Sequence, residues 1–272
     1  MDAVLAIAAV AAAAGTFVIR VPKVRAALAL IALALIPVML AVELWDTSSL
    51  DPLRERPAPA LFGVALGVMA MAGLAYAFDK RSWLFAPLAV AALPFRIPVD
   101  TGGETANLLL PLYFVIGAGV MAYAWSYLSG QREGPEDPPG ATESAVLLLL
   151  ALYAVQAAYS TDFEVALKNM AFFYVPFALM LRLFTAVRWN RETIVRCFGV
   201  LVGLALLFAA IGYFEYATKE LLLNPKVIAQ NQFSSFFRVN SLFFDPSIYG
   251  RFLALVMLLV LALMLWSSSK RT

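Results

Sequence analysis

The chain contains no histidine, a single cysteine (Cys197) and few charged residues, which make up 14% of its 272 positions. Without histidine and with one thiol, it has no Cys/His metal site, no Ser-His-Asp triad and no disulfide framework. Soluble domains contain about 25% charged and about 45–50% apolar residues. The low charge and the 62% of hydrophobic residues therefore exclude a soluble enzyme, a disordered chain and a nucleic-acid-binding module. Any chemistry must come from carboxylates, arginines, lysines, tyrosines or hydroxyls.

Long apolar runs dominate what the sequence does contain. A helix that crosses a bilayer needs roughly 17–25 mostly apolar residues. Nine segments approach this length and predict an all-α, polytopic transmembrane helix bundle that forms one domain over residues 1–272. They are Ala3–Ile19, Ala26–Val42, Ala60–Phe78, Trp83–Phe95, Leu108–Leu128, Ala145–Tyr159, Met170–Val187, Cys197–Phe214 and Ile248–Trp266. Trp83–Phe95 has only 13 residues with two prolines, so it either spans with help or re-enters the membrane.

The connecting segments orient these spans. With nine spans, the loops on one side hold 12 Lys and Arg and those on the other side hold 8. Cytoplasmic loops are the richer ones, so we expect the N-terminus outside and the C-terminus in the cytoplasm. Residues 129–144, rich in Pro and Gly, predict a flexible cytoplasmic linker. Residues 215–247 mix aromatic, apolar and polar side chains and predict an amphipathic segment that lies in the outer membrane interface.

The most specific local pattern is Phe237–Leu253, which reads FRVNSLFFDPSIYGRFL. It resembles the conserved region of the O-antigen ligase and polymerase family of bacterial membrane glycosyltransferases, where an outward arginine precedes a Pro-led helix that re-enters the membrane. Looser similarities occur in four upstream segments, Leu93–Pro98, Asn107–Tyr113, Tyr159–Lys168 and Phe172–Phe177. The resemblance implies a GT-C-like architecture, a multi-pass location in the bacterial plasma (inner) membrane, and a function in polysaccharide biosynthesis for the cell envelope.

Two departures from the family pattern stand out. Members usually have Asn after the proline of the re-entering helix, where this chain has Ser247. The family also carries a later, large outer loop with a second key arginine and, in ligases, a histidine. Because this chain has no histidine and no such loop, we expect it to correspond to the N-terminal two-thirds of such a protein.

The resemblance implies transfer or polymerisation of glycan from an undecaprenyl-diphosphate carrier on the outer face of the membrane. Its partners would be the lipid bilayer and the carrier-linked glycan, with no nucleic acid. A lipid diphosphate is already activated, so the reaction requires no cofactor or metal. The leaving diphosphate needs cations, and arginine is the best suited because it can meet two phosphate oxygens at once.

Four side chains are the candidates for this chemistry. Arg238 coincides with the family's arginine and is the first candidate for the diphosphate, followed by Arg251 and Arg96. Glu215, at the outer end of a predicted span, is the best carboxylate for the general base that an acceptor hydroxyl requires. We expect Asp245 to cap the helix that starts after it rather than to act in catalysis.

Two other functions fit the same residues. A transporter or lipid-handling membrane protein would explain the apolar spans and outer arginines, although the sequence shows no internal repeat and little charge at mid-membrane depth. A catalytically silent protein that binds lipid-linked glycan would explain the missing histidine and late loop.

Overall fold

The computed structural model describes residues 2–43, 57–100, 105–131, 140–222, 231 and 237–269. Each of the nine predicted apolar segments is mainly helical. The α-helices are α1 (Asp2–Val18), α2 (Pro22–Glu43), α3 (Pro57–Lys80), α4 (Phe85–Ala92), α5 (Leu110–Leu128), α6 (Ala141–Ala158), α7 (Phe163–Asn169), α8 (Val175–Ala186), α9 (Arg191–Thr218) and α10 (Pro246–Ser269). A 3-10 turn (Ser82–Leu84) precedes α4, and a π-helical turn (Met170–Tyr174) joins α7 to α8.

Five helices in the described part of the chain are long and apolar enough to cross a membrane. Their apolar stretches contain 18 to 28 residues and lie on α2, α3, α5, α9 and α10. The other apolar helical stretches have 10–17 residues: Val4–Val18, Ser82–Ala92, Ala141–Ala157 and Phe172–Ala186. The protein therefore has the helical, membrane-compatible architecture predicted from its composition, while the count of nine spans stays a prediction.

The short segment Trp83–Phe95 does not form one long helix. It divides into the 3-10 turn and α4, which has eight residues and is about 12 Å long at 1.5 Å per residue. That is less than half of the roughly 30 Å of hydrocarbon in a bilayer, so α4 cannot cross by itself. An antiparallel hairpin follows, with strands β1 (Ile97–Asp100) and β2 (Thr105–Leu108) paired in register from Ile97↔Leu108 to Asp100↔Thr105. Apart from this hairpin, the regular structure of the described residues is helical, as predicted.

Backbone contacts divide the chain into two compact units where the sequence predicts one transmembrane domain. The first unit comprises Met1–Ala89 and Ile97–Arg188, and the second comprises Val90–Arg96 and Trp189–Thr272. In the first unit α5 is the central helix, since 61% of its apolar stretch is buried against 11% for that of α3. Close packing here depends on Gly119, because a Cβ at this position would lie 2.7 Å from the Phe85 ring.

In the first unit, a neighbouring helix replaces a backbone hydrogen bond that a proline removes. Pro176 has no N–H to donate to the carbonyl of Phe172, four residues earlier in the helix. The hydroxyl of Tyr113 on α5 donates to that carbonyl instead. Spans tolerate internal prolines when a neighbour satisfies the freed carbonyl, and Tyr113 does so for Pro176.

A buried ion pair ties α6 to α8. Arg182 is 7% exposed, and its guanidinium lies 3.3 Å from Glu143 Oε1 and 3.2 Å from the hydroxyl of Tyr123. An arginine near a span end commonly extends its charge toward the interface, and here Arg182 pairs with a carboxylate at the start of a neighbouring helix. Glu143 also accepts from the N–H of Gly140, so α6 begins at Ala141 and shortens the predicted linker 129–144. Residues 132–139 of that linker lie outside the described residues.

The second unit consists of the end of α4, the long helix α9 and α10. Asn190 caps α9 by accepting from the N–H of Thr193 at 2.8 Å. Asp245 caps α10 by accepting from the N–H of Ser247 at 2.6 Å, and Pro246 is the first residue of that helix, as predicted. The loop between α9 and α10 is described at residues 219–222, 231 and 237–245, so much of the predicted interfacial segment 215–247 lies outside the described residues.

Candidate functional site

An aromatic cluster forms the core of the second unit. We define it as Phe95, Phe208, Phe243, Tyr249 and Phe252. Its ring centroids lie 5.2 to 5.8 Å apart, mostly in tilted or edge-to-face arrangements. Such pairs contribute about 0.5–1.5 kcal/mol each beyond their buried area. The cluster therefore holds the end of α4, the middle of α9, the loop before α10 and the first turns of α10 in one arrangement.

A close contact between α9 and α10 supports the cluster. The hydroxyl of Tyr249 donates to the carbonyl of Phe208 at 3.0 Å. This approach requires glycine at position 212, because a Cβ on Gly212 would lie 2.6 Å from the Tyr249 hydroxyl oxygen. The start of α10 is thus fixed against α9.

Glu215 binds the loop before α10 through its carboxylate. The residue is fully buried near the end of α9. Its Oε2 accepts from the N–H of Ser241 at 2.7 Å and from that of Asn240 at 3.2 Å, and its Oε1 accepts from the N–H of Leu222 at 3.2 Å. Both oxygens are occupied by backbone donors. The geometry gives Glu215 a positioning function in the loop, and the base function stays a prediction.

The bound loop is a tight turn. Ser241 has a φ of 51°, in the left-handed region that non-glycine residues rarely adopt. The N–H of Phe243 donates to the carbonyl of Asn240 at 2.9 Å, and the side-chain amide of Asn240 donates to the carbonyl of Phe243 at 2.6 Å. Glu215 therefore fixes a turn that also places the Phe243 ring in the aromatic cluster.

Arg238 lies at the start of this turn with its backbone held on both sides. Its N–H donates to Asn231 Oδ1 at 3.0 Å, and its carbonyl accepts from Asn231 Nδ2 at 3.0 Å. Its side chain is exposed, and the next residue, Val239, packs against the aromatic cluster. The side-chain amide of Asn231 thus fixes the backbone of Arg238, from which the guanidinium extends.

All three candidate arginines are sequence neighbours of residues that pack in or against the aromatic cluster. Arg96 follows Phe95, Arg238 precedes Val239, and Arg251 precedes Phe252. The side chains of Arg96, Arg238 and Arg251 are all exposed. Because consecutive Cα atoms are 3.8 Å apart, the three backbones are brought to the border of one core. The sequence suggested these arginines separately, and the structure places a chain neighbour of each one in or against a single cluster.

The carboxylate of Asp245 is exposed and outside the apolar stretch of α10. The N–H and hydroxyl of Ser247 lower the pKa of Asp245 below its ordinary value. The N–H of Ile248 and then the charge of Arg251 lower the pKa further. Asp245 is thus a helix cap with an arginine within electrostatic range, as an arginine in the first turns of a helix requires.

Lys219 is a further cation at this site. It ends α9 in the left-handed conformation, with a φ of 60°. Its ammonium lies 3.6 Å from the centroid of the Tyr216 ring and 5.1 Å from that of Phe237, the residue before Arg238. Tyr216, three residues earlier on the same helix, is the signal that could have drawn attention to Lys219.

No protein family, curated protein or solved structure matches the chain. Among the described residues, no three His, Cys, Asp or Glu side chains come together in a way that could hold a metal ion. What the described site offers is positive charge on an exposed border, aromatic rings beneath it and a buried carboxylate that fixes its loop. This combination suits the binding of an anionic group at a membrane surface.

Proposed function

We propose that the protein belongs to the O-antigen ligase and polymerase class of membrane glycosyltransferases and handles glycan linked to undecaprenyl diphosphate. The observation that carries the proposal is the position of Arg96, Arg238 and Arg251 on the border of one aromatic cluster. The family resemblance of Phe237–Leu253 supplies the substrate class. In this proposal the site lies on the outer face of a bacterial plasma membrane, with the N-terminus outside.

The arginines would act on the diphosphate. Each guanidinium can donate two parallel hydrogen bonds to phosphate oxygens, and its charge would neutralise the negative charge that develops as the glycan leaves. Arg238 is the central residue, since Asn231 holds its backbone at both the N–H and the carbonyl. Pre-organisation of this kind reduces the free energy spent on ordering the site when the ligand binds.

The carrier's lipid tail would lie along the apolar surface of the second unit. Large side chains on α9 and α10 are exposed, including Leu206 (67%), Met257 (71%) and Leu258 (64%). In a bilayer these surfaces face hydrocarbon, where a polyprenyl chain would be as well solvated as in lipid. The diphosphate of a membrane-embedded carrier would then meet the arginines near the helix ends.

A second candidate is a protein that binds the same lipid-linked glycan without transferring it. The observation that favours it is the occupation of both Glu215 oxygens by backbone donors. Among the candidates that the sequence offered, Glu215 was the one assigned to accept a proton. Diphosphate binding is common to the two candidates, and only glycan transfer separates them.

The test compares Arg238→Ala with Arg188→Ala, which removes an exposed arginine of the first unit. Purified protein is assayed for binding of undecaprenyl diphosphate, and cells carrying each variant in the intact gene are assayed for surface glycan. Loss of one charge-assisted hydrogen bond is worth about 1.5–3 kcal/mol, so Arg238→Ala should bind roughly 10- to 100-fold more weakly.

The three possible outcomes have different meanings. Weaker binding together with shortened or missing glycan in the Arg238→Ala strain supports the glycosyltransferase. Weaker binding with an unchanged glycan profile supports the silent binder. If neither changes while the variant is present at its normal level, both candidates are wrong.

A further inference from the structure

A cavity of about 210 Å³ lies within the first unit. It is bordered by the ends of α3, α5 and α8 and by the start of α4. Its walls combine aromatic rings with polar groups, and they include Phe78, Asp79, Ser82, Phe85, Tyr123 and Ser126. None of these residues takes part in the proposed diphosphate site.

Asp79 is the charged group on the cavity wall. Its side chain is 15% exposed, and its carboxylate lies 3.7 Å from the ammonium of Lys80, which is itself 61% exposed. Among the described residues, Lys80 is the one group in contact with the Asp79 carboxylate, and no hydrogen-bond donor reaches the carboxylate oxygens. An ion pair with so exposed a partner contributes little, whereas a largely buried carboxylate is costly unless it is paired.

The surroundings of Asp79 favour a positive charge in two further ways. Three helices end at the cavity: α3 at Lys80, α5 at Leu128 and α8 at Ala186. The carboxyl ends of helices carry partial negative charge and stabilise cations. The cavity walls also contain aromatic rings, with Phe78 and Phe85 in an edge-to-face pair at 5.6 Å, and ring faces attract cations.

The size of the cavity limits the ligand. Pockets for drug-sized ligands have volumes of about 300–1,000 Å³, so a whole nucleotide or sugar chain would not fit inside this cavity. A cavity of about 150 Å³ accommodates benzene, so 210 Å³ is sufficient for a head group of about eight non-hydrogen atoms. The next two residues after Asp79 are the exposed cations Lys80 and Arg81. Two neighbouring positive charges suit a phosphate.

We propose that this cavity binds a primary ammonium group linked to a phosphate, with the ammonium against Asp79 and the phosphate toward Lys80 and Arg81. Two sources have this chemistry: the head group of an aminophospholipid and soluble phosphoethanolamine. The cavity opens where two of the long apolar helices, α3 and α5, end. A lipid head group in the membrane interface would reach it there. The proposal is independent of the function proposed for the second unit.

The experiment measures ligand retention by the purified full chain with native mass spectrometry. The probes are phosphatidylethanolamine, phosphatidylglycerol and phosphatidylcholine with identical acyl chains, and soluble phosphoethanolamine. Phosphatidylethanolamine should be retained in preference to the other two lipids, since phosphatidylglycerol has no ammonium and phosphatidylcholine has no N–H to donate. Lipid retained without the soluble compound identifies a membrane source, and the reverse identifies a soluble one.

Two variants and one control test the site itself. Asp79→Asn keeps the shape and removes the charge, and it should weaken retention about tenfold or more, as expected for one charge-assisted hydrogen bond. Ala122→Leu fills the cavity without altering its charge and should have a similar effect. Glu192→Gln alters an exposed ion pair with Arg196 and should leave retention unchanged. Retention that survives both Asp79→Asn and Ala122→Leu, or equal retention of all three lipids, overturns the proposal.

Discussion

Replacing Glu215 by Gln tests whether its carboxylate positions the loop before α10. The substitution keeps the side-chain volume but replaces one acceptor oxygen with a donor NH2 group. If the amide nitrogen takes the Oε2 position, the N–H groups of Ser241 and Asn240 lose their acceptor. If it takes the Oε1 position, the N–H group of Leu222 loses its acceptor. A hydrogen bond to a charged group contributes about 1.5–3 kcal/mol. A loss of about 3 kcal/mol would make the loop open on the order of 100 times more often, at 1.4 kcal/mol per factor of ten.

The assay is hydrogen exchange of the amides in residues 237–245, measured by mass spectrometry on the purified chain. Exchange through local opening reports the free energy of that opening, so Glu215→Gln should accelerate it about 100-fold in this segment. Amides of α5 in the first unit should exchange at the original rate. Glu192→Gln removes an exposed ion pair at the other end of α9, where pairs contribute about 0–1 kcal/mol, and it should leave the loop unchanged.

The same variant separates a positioning function from a base function. If Glu215 holds the loop, Glu215→Gln weakens diphosphate binding by displacing Arg238, although it removes no contact with the ligand. If Glu215 is the general base, transfer is lost while loop exchange and diphosphate binding stay as they were. Unchanged exchange at Asn240 and Ser241 would therefore refute the reasoning offered here for this carboxylate.

Three further substitutions have expected outcomes. Ser241→Gly should raise the free energy of unfolding by up to about 1 kcal/mol relative to Ser241→Ala, measured as a higher melting midpoint, because it relieves the left-handed φ of 51°. Asp245→Ala should cost about 1 kcal/mol through the lost cap, and Asp245→Asn less. The pKa of Asp245 is lowered in the folded protein, so the gap in melting midpoint between wild type and Asp245→Asn should close as the pH falls through that lowered pKa. Arg182→Met should cost about 3–5 kcal/mol because Glu143 stays buried without its partner; the double variant Arg182→Met/Glu143→Gln should recover part of the loss.

The elements that sequence predicts well are those set by local patterns. Hydropathy over about 18 residues locates helices that need an apolar environment, and the nine predicted segments are mainly helical. The start of α10 follows from Asp245 and Pro246, because capping and the fixed φ of proline act within one turn. A proline inside a span such as Pro176 frees a backbone carbonyl, but local patterns cannot say that Tyr113 binds it.

The candidate site was predictable only in its parts. The arginines were found one at a time, since nothing in the sequence says that Phe95, Val239 and Phe252 pack on one core. The functions of Glu215 and Arg182 depend on partners 25 and 39 residues away. A carboxylate near a span end has the same local sequence whether it faces water, an arginine or backbone donors. Its partner decides its chemistry, and the partner is a property of the tertiary fold.

Three acidic side chains in the described residues are largely buried, and they are satisfied in different ways. Glu143 is paired with Arg182, and Glu215 accepts from three backbone N–H groups. In the described part of the chain, the partner of Asp79 is the exposed ammonium of Lys80 at 3.7 Å, and a largely buried carboxylate is costly unless it is paired. The first two carboxylates have protein partners and therefore hold the fold together. Asp79 faces a cavity instead. Its carboxylate needs a positive charge beside it, and a cationic ligand in the cavity would supply that charge.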